Sequence, residues 1–190
     1  MQARAPLGSR NKMFRSGRKV INSSTTTMEG IKLIPCRGGS QCPAPVTVSG
    51  GPPAQCPLVA AARHNGGIIP GVVMPNTNVC HIPWGGQAIA KTDYFVLNNP
   101  GSVEVTWEQA SRGTIPQGAL QGGYSETGEA LYFGRFNHGG SLICGKVHPS
   151  HKVCYVPYWG QETSNVNYEA DNTTTRTSLQ SGPSRLTTLP

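Results

Sequence analysis

Charge is what this chain has least of: Asp, Glu, Lys and Arg make up 13% of its 190 residues, about half the share usual in soluble domains. Aromatic residues are also few, at 7%. No stretch approaches the roughly 18 consecutive apolar residues of a membrane span, nor the shorter apolar core of a secretory signal. No segment keeps apolar residues at helical spacing for long enough to form an amphipathic helix. These absences argue against a membrane helix, a helical bundle and a body held open by charge repulsion.

What is abundant is glycine and proline, 24 and 16 residues, in clusters that read as tight turns between short strands. The net charge of +7 is local. Residues 1–37 carry eight Lys or Arg against Glu29 alone, and the rest of the chain carries eight charges of each sign. A basic arm on a neutral body lacks the Lys/Arg stripe with interleaved aromatics that a nucleic-acid surface needs, so no nucleic-acid partner is expected. The opening MQARAPLGSRNKMFRSGRKV is Arg-rich and acid-free, as mitochondrial presequences are; a disordered basic leader over 1–32 is the simpler reading. The Ser/Thr-rich stretch 172–190 has little to bury and is expected to be a disordered tail. Six cysteines without an export signal read as free thiols. The cytoplasm is the expected compartment, with secretion or mitochondrial import as alternatives.

The chain repeats itself. IIPGVVMPNTNVCHIPWGGQA (68–88) aligns without a gap on LICGKVHPSHKVCYVPYWGQE (142–162) at an offset of 74, with nine of 21 positions identical. Unrelated segments of this length share roughly one or two. The same offset pairs His64 with His138 and Tyr94 with Tyr168. The copies span about 33–100 and 105–171. Within them VEVTWEQ, ALYFGRF, KVCYVPY and TDYFVLN read as strands, and YSETGE as a hairpin turn with Gly128 at positive φ. The predicted fold is all-β: two tandem pseudo-symmetric repeats of short antiparallel strands, neither long enough to bury a core alone.

The second copy carries Trp107, Gly113, Pro116, Gly118, Ala119, then Leu131-Tyr132 and Gly134-Arg135, His138, Gly145-Lys146-Val147, Pro149-Ser150-His151, Cys154-Tyr155-Val156-Pro157-Tyr158, Gly160, Glu162 and Tyr168. In this order it resembles the DM-nine repeat family over its full length; the first copy matches only from about Val59 to Leu97. The resemblance implies tandem β-rich halves and, in some members, non-enzymatic mannose-binding lectins of innate immunity. It also implies sugar contacts at the lysine of the G-K-V motif, here Lys146, and at an acidic position that falls on Ser125, with Glu126 one residue later.

The residues themselves offer three chemistries. Cys144, His148, His151 and Cys154 are ligand types that zinc favours, yet three of the four have no counterpart in 68–88, so no metal or other cofactor is expected. Cys154, His151 and Glu162 are nucleophile, base and orienting types without a recognisable catalytic frame, so no enzyme is expected. Binding fits best: sugar hydroxyls donate and accept, and their C–H face seeks an aromatic. Lys146, Arg135, Glu126, Glu162, Ser125 and Trp159 are the candidate contacts. Lys146, Arg135 and Glu162 become Val72, Ala61 and Ala88 in the first copy, so at most one sugar site is expected per chain. The expected partners are mannose-type glycans, with a homo-oligomer supplying avidity. The alternative is a structural or protein-interaction β domain whose sugar site has decayed.

Overall fold

The computed structural model describes residues 30–37, 42–101 and 103–175. The predicted leader before residue 30 and the predicted tail beyond 175 lie outside the described residues. Thirteen strands and no helix are found among those described: β1 Lys32–Arg37, β2 Leu58–His64, β3 Gly67–Val73, β4 Cys80–Trp84, β5 Gln87–Lys91, β6 Asp93–Asn98, β7 Val103–Ser111, β8 Gln121–Tyr124, β9 Ala130–His138, β10 Ser141–His148, β11 Val153–Tyr158, β12 Gln161–Asn165 and β13 Asn167–Thr175. The all-β prediction holds. Two boundaries differ: Lys32, placed in the predicted leader, opens β1 by pairing with Asn98 of β6, and Asn172 to Thr175, placed in the predicted tail, continue β13 by pairing with Thr106 to Val103 of β7, because the ladder satisfies their backbone groups.

Tight hairpins set the register. Asn65-Gly66, Gly85-Gly86, Gly139-Gly140 and Trp159-Gly160 all have positive φ at both residues, the two-residue turn whose twist matches that of paired strands. Gly128 takes φ 85° in the turn between β8 and β9, where its amide donates to the Ser125 carbonyl at 3.0 Å.

The ladders recur at the 74-residue offset: Ala60↔Val96 joins β2 to β6, and Gly134↔Ala170 joins β9 to β13. Gln87 of β5 pairs with Gln161 of β12, its own counterpart. Around this pair the Ala88 amide donates to Gly160 and the Glu162 amide to Gly86, both at 3.0 Å. The two halves therefore meet about a local two-fold, hairpin tip against hairpin tip. Following the ladders β3–β4–β5–β12–β11–β10–β9–β8 returns to β3 and closes an antiparallel barrel. Closure removes most of the edges that would otherwise invite aggregation.

Two apolar clusters interlock the halves. One joins Val59, Val72 and Leu97 to Phe133, Val147 and Tyr168; the other places Leu131 among Ile69, Ile82 and Val96. The glycine of the G-K-V motif is steric in origin. A Cβ on Gly145 would collide with the Tyr155 carbonyl, and one on Gly71 with that of His81.

Candidate functional site

Lys146 lies on β10 opposite Tyr155 of β11 and Phe133 of β9. Its side chain is 6% exposed, and its ammonium sits 3.0 Å from Glu162 Oε1, whose side chain is 10% exposed. The same ammonium donates to the Pro83 carbonyl at 2.8 Å. The ring centroids of Trp84 and Tyr155 each lie 5.0 Å from it. Glu162 Oε2 accepts from the Gly86 amide at 2.8 Å. A charge this deep persists only when opposite charge, carbonyl and aromatic faces replace its water, and all three are present.

Two further groups complete the cluster. His64 meets the Trp84 ring edge-on at 5.4 Å. Partial burial, then the charges of Lys91 and Lys146, hold its pKa below the usual histidine value, so the ring is neutral at pH 7. Burial, then the Glu162 charge, push the Tyr155 phenol up. The arrangement offers a cation, a carboxylate, two aromatic faces and a neutral imidazole.

The other sequence-predicted residues are elsewhere. Ser125 is buried in the β8–β9 turn, where its hydroxyl accepts from the Glu129 amide at 3.1 Å and shares a hydrogen bond with Thr127. Glu126 is exposed in the same turn. Among the described residues neither bonds to Lys146 or Glu162. Arg135 lies over the Trp107 ring at 4.4 Å, pairs with Glu169 at 2.6 Å and donates to the Val48 carbonyl. It is a clamp between β9, β13 and the loop before β2, lining a separate cleft with Thr47 and Trp107. Trp159 stands 89% exposed at the β11–β12 turn and lines a different cavity. Sequence reasoning missed Pro83, Trp84 and Gly86, which come from the other half because the β4–β5 tip crosses to meet β12. The signals for them are the identities Pro83/Pro157 and Gly86/Gly160 and the aromatic that Trp84 shares with its counterpart Tyr158.

The G-K-V lysine seated on this double-hairpin scaffold is matched by a family model: that of the DM9 repeat covers residues 56–165. The chain belongs to the DM9 repeat family. Natterin-3 of Thalassophryne nattereri is 29% identical over 91 residues, which is 47% of this chain and 22% of that relative. The chain thus spans about a fifth of the curated relative it matches. The nematode sperm cell motility protein MFP2B superposes with a TM-score of 0.58 over 77% of this chain and 44% of its own, at 14% identity. That likeness is one of fold.

In this DM9 repeat chain the cysteine–histidine quartet splits by face. Cys144 and Cys154 are fully buried, and burial pushes both thiols well up. His148 bonds Glu129 at 3.1 Å, and its ring stacks on His151 with centroids 3.6 Å apart. Among the described residues no three His, Cys, Asp or Glu side chains converge as metal ligands. All six cysteines are free, and only Cys42 and Cys56 are not buried; burial raises the Cys80 thiol to about 12. A thiol reagent at pH 8 is therefore expected to label Cys42 and Cys56 in the native protein and all six thiols in denaturant. Rapid native labelling of Cys144 or Cys154, located by peptide mass spectrometry, would contradict this packing.

Proposed function

We propose that the chain is a non-catalytic carbohydrate-recognition module for mannose-type glycans, with Lys146 and Glu162 as its polar contacts and Trp84 as its aromatic one. The observation that carries this reading is a cation and a carboxylate held 3.0 Å apart beside an indole. Neighbouring sugar hydroxyls need a donor and an acceptor at this spacing, and the sugar's C–H face matches an aromatic ring. The family resemblance supports it, since Lys146 occupies the lysine of the sugar-binding motif. Val72 and Ala88 occupy the equivalent places in the first half, which leaves one such site per chain. A single weak site would gain avidity from a homo-oligomer, the form a role in innate immune recognition would use.

One observation favours the second reading, a structural or protein-interaction β domain: the pair is almost covered, and its contacts to the Pro83 carbonyl and the Gly86 amide come from within the protein. Calorimetric titration with mannose separates the two. Heat is expected from the parent protein and none from the double variant Lys146→Val/Glu162→Ala, which copies the first half and should still melt cooperatively. A silent titration of the parent would remove the lectin reading and leave the structural one.

A further inference from the structure

The members of the Lys146 cluster have counterparts 74 residues earlier or later, and all of these except His138, the counterpart of His64, line one cavity of about 690 Å³. Val72 stands for Lys146, Ala88 for Glu162, His81 for Tyr155, Pro157 for Pro83 and Tyr158 for Trp84. The space that an ion pair fills in one half is empty and largely apolar in the other. The volume lies within the range, about 300–1,000 Å³, of pockets that enclose small molecules.

Three features define what would occupy it. First, no Asp, Glu, Lys or Arg is found in its lining, so a charged ligand would lose its water without a counter-charge. Second, Pro157 and Gly160, the counterparts of two residues that bond the ion pair through their backbone, line the cavity. The Pro83 carbonyl accepts from Lys146 and the Gly86 amide donates to Glu162; at Pro157 and Gly160 the equivalent partners are Val72 and Ala88, which neither donate nor accept. One acceptor and one donor suit a hydroxyl. Third, Trp159 stands at the lip with φ 46° and 89% of its surface exposed, where its counterpart is Gly85. A bulky residue in the left-handed region is strained, and here it gains almost no burial in return. Backbone strain of this kind concentrates at ligand-binding positions.

We propose that this cavity is a second binding site, for an uncharged, mainly apolar small molecule bearing a hydroxyl, of the size of a phenol or naphthol, with Trp159 closing over it. It is independent of the sugar reading: it uses none of the same side chains.

The test is calorimetric titration of the full chain with naphthol at pH 7, with naphthoate as the charged comparison. Saturable naphthol binding is expected, with naphthoate weaker. Trp159→Gly, which matches Gly85 and relieves the strained turn, is expected to keep the fold and weaken naphthol binding roughly tenfold, the usual loss for an aromatic wall. Ala88→Phe fills the cavity floor and is expected to abolish it. Lys146→Val/Glu162→Ala, in the other half, should leave this affinity at the parent value. No naphthol binding by the parent, or parental affinity in Trp159→Gly, would overturn the proposal. Parental affinity in a folded Ala88→Phe would do the same.

Discussion

Lys146→Val is expected to destabilise the protein by about 3–5 kcal/mol, the range seen when one partner of a buried ion pair is removed. The loss is large against a typical total stability of about 5–15 kcal/mol. It arises because Glu162 would stay buried with its charge facing a methyl group and only the Gly86 amide left to hold it. Lys146→Val combined with Glu162→Ala removes both charges and installs the residues the first half already uses at these places. It should fall within about 2 kcal/mol of the parent, because desolvation cost and Coulombic gain leave together. Urea unfolding of the parent, both single variants and the double variant checks this. A double variant no more stable than Lys146→Val would show that the pair is not the source of the loss.

Asp171 should govern the pH dependence of stability. It is fully buried in β13; one carboxylate oxygen accepts from the Leu120 amide at 3.1 Å and the other has no partner. Burial raises its pKa from 3.8 to about 7, against the lowering effect of the hydrogen bonds from the Leu120 and Asp171 backbone. The folded state thus holds this proton more tightly than the unfolded chain does. Its contribution to stability is fully present below about pH 4 and is lost as pH rises toward 7, a span worth about 4 kcal/mol. Asp171→Asn cannot ionise. Relative to the parent, it should gain stability progressively between pH 4 and 8, and its own profile should be flatter. Unfolding curves at several pH values measure the difference. Parallel pH profiles for the two proteins would show that Asp171 is ionised without penalty.

Legibility differed from element to element for physical reasons. VEVTWEQ, ALYFGRF, KVCYVPY and TDYFVLN carry β-branched and aromatic residues in their own windows, and they are β7, β9, β11 and β6. LVAAARH does not announce β2, because alanine has little preference for strands. Ala60, Ala61 and Ala62 serve there by being small, each with no exposed surface. QETSN has no apolar pattern at all, yet it forms β12 because the Trp159-Gly160 turn folds it back on β11 and Gln161 pairs with Gln87. The close approach of strands behind the G-K-V glycine is likewise a three-dimensional matter.

The site divided in the same way. Lys146 is legible through its motif and Glu162 as an acidic residue close to it in sequence; the two meet. Sequence proximity and chemical type suggest Arg135 and Trp159 as well. Arg135 is committed to Glu169 and Trp107, and Trp159 to the opposite cavity.

By itself the sequence determined the all-β class, the 74-residue correspondence, the family and the loss of lysine and glutamate from the first half. Turn chemistry, strand propensity and residue identity act over a few positions and are written locally. Only the tertiary structure decided that the pair lies against Pro83 and Trp84, and that its absence opens a cavity beneath Trp159. Both follow from hairpin tips meeting across a local two-fold, a contact between residues 74 apart that no local pattern encodes.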